Sequence, residues 1–254
     1  MYKGYLIDLD GTMFNGDDRI EGAKDFVERL NQLEIPYVFV TNSGERSREE
    51  TLEKFLHHDI ETSVEHIYTA AMACADYVKA HSKTGRVYVI GSDSFKETIK
   101  TRGLTVTDED VEAVLFSYPK NIDYRQYAKA VQLVVAGAKF IMTNPDKVIR
   151  HKDTYLPGNG AFASVVLTAT DVEPIVVGKP NAYILEGALN LLNLSKDEVA
   201  MIGDNYDTDI MTGINGGLDT IHVNTGVHST ESVKEKEVPP THTVENLNDW
   251  KLSK

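Results

Sequence analysis

The sequence predicts an α/β protein whose parallel sheets are covered by helices. Two observations carry that prediction: short β-rich runs alternate with amphipathic helical stretches along most of the chain, and several of the apolar runs end in acidic or hydroxyl residues. Tyr5-Leu6-Ile7 reads as a buried strand. The stretch 22–33 sets Ala23, Phe26, Leu30 and Leu33 at helical spacing. Pro36 then opens Tyr37-Val38-Phe39-Val40, a second buried strand. Ser47 and Glu50 form an S-x-x-E capping box for a helix that ends near Phe55 or Leu56. Further strands are expected over 86–90, 113–116, 139–142, 174–177, 199–202 and 220–223. Further helices are expected over 71–80, 94–101, 124–135, 161–169, 182–192 and 208–213.

Length and composition bound the rest. The 254 residues suit one large α/β domain or two modest ones, with 41% hydrophobic and 26% charged residues and no biased tract. A net charge of −13 gives no electrostatic footprint for nucleic acid or an anionic membrane. No apolar run approaches the ~20 residues that span a bilayer. The start MYKGYLIDLDG does not look like a secretory signal, and Cys74, the single cysteine, has no internal disulfide partner. A cytoplasmic location is the expectation, with Cys74 as a packing residue. An acidic protein that binds phosphate must do so with local devices: a metal ion, one lysine, backbone N–H groups.

Four segments supply such devices. In Leu6-Ile7-Asp8-Leu9-Asp10-Gly11-Thr12 two carboxylates follow a strand at i and i+2, where α/β sheets bind ligands. One carboxylate can attack phosphorus while its neighbour handles the proton. A turn that happens to hold two Asp residues is the bland alternative. Thr41-Asn42-Ser43 ends the second buried strand and offers a hydroxyl and an amide to phosphate oxygens, although such residues also commonly start turns. Gly178-Lys179-Pro180 fixes one positive charge after a strand. In Gly203-Asp204-Asn205-Tyr206-Asp207-Thr208-Asp209, acids at the end of another strand suit Mg²⁺, which takes one or two protein carboxylates and keeps several waters. Asp207 is equally explained as a charge complementing a helix dipole.

In this order the four segments resemble the motifs of the haloacid dehalogenase superfamily, and most closely its NagD-like (p-nitrophenylphosphatase-like) phosphatases. Thr143-Asn144-Pro145-Asp146 and Pro157-Gly158-Asn159-Gly160-Ala161 share that flavour, and the resemblance runs from Tyr5 to about Gly226, with Tyr206 as a small departure. It implies a Rossmann-like core over 1–80 and 175–254 with an α/β cap inserted over 81–174. It implies hydrolysis of a small-molecule phosphate monoester, such as a sugar phosphate or nucleoside monophosphate, through an aspartyl-phosphate on Asp8. Asp10 would serve as general acid and base; Thr41, Asn42 and Lys179 would hold the phosphate. Mg²⁺ would be bound by Asp8, the carbonyl of Asp10 and Asp204, with Asp209 orienting a metal-bound water from behind. Substrate choice would fall to Asn144, Asp146, Gly158 and Asn159, or those residues merely form a turn and a helix cap. Such caps often pair, so a homo-oligomer is among the implications. A phospho-accepting receiver, a dehalogenase or phosphonate-cleaving relative, and a binding protein without turnover are the competing readings.

Overall fold

A computed structural model describes residues 2–151 and 154–252 and divides the chain into two compact units. The first comprises 1–41, 48–68 and 179–254; the second comprises 42–47 and 69–178. The sequence expectation set the divisions at 80/81 and 174/175. The helix Ala70–His81 accordingly lies in the second unit, and so does the short loop 42–47.

The first unit is built on a six-stranded sheet in the order His242–Val244, Asp219–Val223, Val199–Gly203, Gly4–Ile7, Tyr37–Thr41, Ile67–Thr69. Gly4–Ile7, Tyr37–Thr41 and Val199–Gly203 are buried along their whole length, the condition for a parallel sheet covered on both faces. The helix Ala23–Leu33 shows how pattern becomes packing. Ala23, Phe26, Val27 and Leu30, spaced i, i+3, i+4 and i+7, are its buried face and join Tyr5, Ile7 and Phe39 in one cluster. Glu34, in the left-handed region at φ 54°, then ends it.

Pairing from His242–Val244 through to Tyr37–Thr41 is parallel and fixes which residues share an edge. Ile7 pairs with Ile202 on one side and with Phe39 on the other. Asp8, one residue past its pair, and Thr41 and Asp204, two residues past theirs, therefore emerge together at the carboxyl ends of three adjacent strands.

The second unit has its own five-stranded sheet, ordered Ile175–Val176, Lys139–Met142, Ala113–Phe116, Arg86–Ile90, Thr105–Val106, with parallel pairing throughout. Its core gathers Ile90, Val114, Phe116, Phe140 and Met142 with Ala130, Val134, Ala163 and Val166 from two helices. Among the described residues seven short strands have no counterpart in the sequence expectation: Ile67–Thr69, Thr105–Val106, His242–Val244, the pair Phe14–Asn15 with Asp18–Arg19, and the pair Val148–His151 with Thr154–Pro157. Two-residue strands and a hairpin exposed over Thr154–Pro157 leave no periodic apolar signal. Cys74 is fully buried, and burial pushes its thiol pKa up, in keeping with a packing role. Among the described residues no helix is long and apolar enough to cross a membrane.

Candidate active site

Two strand ends of the first unit bring three acids to one point. One carboxylate oxygen each from Asp8, Asp204 and Asp209 lies within 4.8 Å of the others, and all three residues are buried. Asp8 directly follows Gly4–Ile7, its N–H bonded to the Ile202 carbonyl at 2.9 Å. Asp204 follows Val199–Gly203. Asp209 is reached through one wide turn, Tyr206–Ile210, in which the Ile210 N–H bonds back five residues to the Asn205 carbonyl at 3.3 Å. That widened turn is what carries Asp209 inward.

Lys179 is the cation of the cluster and is itself buried. Its ammonium donates to Asp8 Oδ1 and, at 2.7 Å, to Asp209 Oδ1. Burial alone would lower its pKa, but the charges of Asp209 and Asp8 outweigh that and raise it. Asp8 is pushed well above the usual carboxylate range, by desolvation first and by the charge of Asp209 next, against the pull of Lys179. Desolvation and then the charge of Asp209 raise Asp204 to about 6. Three ionised acids against one lysine leave two buried negative charges, an arrangement that a dication resolves.

The hydrogen bonds show which oxygens are available to a cation. Asp209 uses Oδ1 for Lys179 and Oδ2 for the Asn205 N–H at 3.1 Å. Asp8 uses Oδ1 for Lys179, and Asp204 accepts the Val227 N–H on Oδ2 at 2.7 Å. The remaining oxygens, Asp8 Oδ2 and Asp204 Oδ1, each lie 3.3 Å from the Thr12 hydroxyl, which has one proton to give. Asp8 and Asp204 therefore fit a hard, oxygen-seeking ion, with Asp209 held back by Lys179. Gly11 makes the approach possible: its φ is +97°, and a β-carbon there would collide with the Asp204 carboxylate.

The other expected residues divide. Thr41, buried, closes its strand at the same edge as Asp8, and Asn42 follows it. The carboxylate of Asp10 does not join the cluster; its side chain is 61% exposed and accepts from Lys54 Nζ at 2.8 Å. In the second unit Asn144 and Asn159 are buried and engaged internally. Asn144 Nδ2 donates to the Asn42 carbonyl at 3.1 Å, and its Oδ1 accepts the Asp146 N–H at 3.2 Å. Asn159 Nδ2 donates to Thr143 Oγ1 at 3.2 Å and to the Asn144 carbonyl at 2.9 Å. At Gly158 the space for a β-carbon is filled by the Asp146 carbonyl, so the close backbone approach is to the chain itself. Asp146 is exposed.

Tyr206 is mostly buried, with its hydroxyl bonded to the Val238 carbonyl at 2.9 Å, and Asp207 is exposed beside His228 and Lys236. Thr12, Lys54 and the Val227 N–H are site features that sequence reasoning gave no role. Thr12 stood in the first motif and could have been noticed there. A lysine on an amphipathic helix and a backbone N–H give no signal.

Known proteins extend these findings. A family model described as haloacid dehalogenase-like hydrolase matches residues 5–105, and one described as HAD-hydrolase-like matches 176–250. The acid sugar phosphatase of Staphylococcus haemolyticus is 45% identical over 248 residues, 97% of this chain and 94% of that one. A variant of the thermostable p-nitrophenylphosphatase from Bacillus stearothermophilus superposes with a TM-score of 0.91 at 42% identity, covering 98% of each chain. NagD from Escherichia coli K-12 superposes with a TM-score of 0.93 at 27% identity, covering 99% of each. The chain belongs to the haloacid dehalogenase-like hydrolases, in their NagD-like phosphatase branch, and is a phosphoric monoester hydrolase.

Proposed function

We propose that this chain is a Mg²⁺-dependent phosphatase that hydrolyses a small-molecule phosphate monoester through an aspartyl-phosphate on Asp8. The observation that carries the reading is the buried trio Asp8, Asp204 and Asp209 around a single lysine, which when ionised is two positive charges short of balance. The Staphylococcus relatives are acid sugar phosphatases, which favours a sugar phosphate over a nucleoside monophosphate or similar ester. The reading places the enzyme in the cytoplasm.

In this mechanism an Asp8 carboxylate oxygen attacks phosphorus as the bond from phosphorus to the leaving oxygen breaks. Asp10 gives its proton to that oxygen. Asp10, now a carboxylate, takes a proton from water, whose oxygen attacks the phosphorus of the acyl phosphate. The bond between phosphorus and Asp8 breaks, releasing inorganic phosphate and restoring the carboxylate. Lys179 bonds one Asp8 oxygen, and its charge favours the ionised nucleophile against the desolvation that raises the Asp8 pKa. Thr41 and Asn42 bind the phosphoryl oxygens with Lys179. Mg²⁺ would be held by Asp8, Asp204 and the Asp10 carbonyl and would supply positive charge against the phosphoryl oxygens. Asp209 fixes Lys179 and would orient a metal-bound water.

The second unit, taken as a cap over about 81–174, selects the leaving group, which the phosphate-binding residues cannot tell apart. Of its four candidate residues, the exposed Asp146 is the one best supported as a contact to substrate; Asn144, Gly158 and Asn159 support it from below. Release of inorganic phosphate from p-nitrophenyl phosphate and a panel of sugar phosphates, with and without Mg²⁺, tests the reading. Equal rates in excess chelator would remove the metal from it. An unchanged substrate ranking in Asp146→Ala would move specificity elsewhere.

A further inference from the structure

Asp10 is paired with a residue outside every motif. The carboxylate accepts from Lys54 Nζ at 2.8 Å, and the Lys54 ammonium sits 4.0 Å from the centroid of the Phe14 ring. Lys54 lies on the helix Arg48–His57, and its side chain is only 20% exposed against 61% for Asp10. An exposed ion pair alone contributes little, because two long side chains must give up freedom to form it. Here one partner is already fixed. Phe14 is fully buried, packed edge-on against Phe55 at 5.4 Å and stacked on His58 at 5.0 Å, and both of these neighbours belong to or directly follow the Lys54 helix. Phe14 also closes the loop that carries Asp10, since its carbonyl accepts the Gly11 N–H at 2.8 Å. One aromatic ring thus ties the Asp10 loop to the Lys54 helix, and the ammonium stands on that ring facing the carboxylate.

We propose that Lys54 is a positioning residue for Asp10, holding its carboxyl group where a leaving oxygen departs rather than letting it rotate freely in solvent. This rests on the reading of Asp10 as the proton donor. As the bond from phosphorus to oxygen breaks, the electron pair stays on the leaving oxygen and the proton arrives from Asp10. A donor that samples many orientations delivers that proton less often. The cost must then grow with the basicity of the leaving group: small for p-nitrophenolate, which leaves almost unaided, and large for phenolate.

The test compares kcat/KM for p-nitrophenyl phosphate and phenyl phosphate, two esters of nearly the same shape, in the Mg²⁺-supplemented enzyme and in Asp10→Asn, Lys54→Met, Lys54→Arg and the Asp10→Asn/Lys54→Met double variant. Asp10→Asn is expected to lose about 10²-fold on phenyl phosphate and much less on the nitrophenyl ester. Lys54→Met keeps an apolar stem over Phe14 and is expected to lose about tenfold on phenyl phosphate, again less on the nitrophenyl ester. Lys54→Arg restores most of it, and the double variant falls no further than Asp10→Asn. Equal losses on both esters in Lys54→Met, or none, would overturn the inference while a steep Asp10→Asn leaves the acid role standing. A flat Asp10→Asn overturns both.

Discussion

The two sheets of this protein are built alike and end differently. Each is parallel about its centre, and each sends several strands to a common carboxyl edge. At that edge the first sheet places Asp8, Thr41 and Asp204, with Asp209 and Lys179 beside them. The second places Ser117, Thr143 and Asn144 after Phe116 and Met142, with Asn159 alongside. There most of the groups bond to one another: Thr143 Oγ1 donates to Ser117 Oγ at 3.3 Å and accepts from Asn159 Nδ2 at 3.2 Å, while the buried Asn159 Oδ1 alone of this set has no partner. Every member is neutral. A parallel sheet therefore supplies an edge where groups converge, and the residues decide whether that edge becomes a reactive centre or a brace. Where charge is left unbalanced the edge calls for ligands; where neutral groups bond mostly to one another it needs no counter-charge.

The largest expected effect breaks the first edge. Asp8→Asn removes the nucleophile while keeping its shape, so kcat should fall on the order of 10³-fold or more with the fold intact. Substantial residual turnover, with circular dichroism unchanged, would contradict covalent catalysis at this position.

The charge imbalance itself gives the next effect. In metal-free protein Asp204→Asn removes one of three buried acids and should raise stability at pH 7 by on the order of 1–3 kcal/mol. Asp204 binds its proton more tightly folded, near pH 6, than unfolded, near pH 4. A group raised in this way makes the metal-free protein lose stability as pH climbs from about 4 to about 6, with no further loss above that window. The advantage of Asp204→Asn should thus shrink on acidification towards pH 4. Mg²⁺ should reverse the ranking, stabilising the parent by about 2.7 kcal/mol at a hundredfold excess over Kd and the variant far less. Thermal unfolding with and without chelator measures all of this, and a variant less stable than its parent when metal-free would refute the imbalance.

The smallest effect belongs to the second edge. Asn159→Ala removes the amide that serves Thr143 and the Asn144 carbonyl, and should cost about 1–3 kcal/mol without altering the Mg²⁺ concentration that gives half-maximal activity. A changed metal requirement would mean that the brace is part of the site.

How much of this was legible in the sequence follows the same division. Buried parallel strands announce themselves as continuous apolar runs, and Arg86–Ile90, Ala113–Phe116 and Lys139–Met142 fall on their expected spans. Asp8 and Asp204 were legible because each directly follows such a run. The hairpin Val148–His151 with Thr154–Pro157 was not, since its pairing is local and Thr154–Pro157 is exposed. Asn144 and Asn159 are read in sequence either as groups for a substrate or as parts of a turn and a helix cap, because an amide looks the same whether it faces substrate or a neighbouring carbonyl; each donates here to a backbone carbonyl. Lys54 was invisible because its meaning comes from Phe14 and Asp10, forty residues away in the chain.

The central claim is that Asp8 carries the phosphoryl group. Enzyme mixed with Mg²⁺ and p-nitrophenyl phosphate, acid-quenched within a single turnover and digested, should yield a phosphoryl adduct on the peptide that holds Asp8. The adduct should disappear in Asp8→Asn and persist longer in Asp10→Asn, where water is activated poorly. Full turnover with no adduct at any quench time, or an adduct that survives Asp8→Asn, would contradict the account.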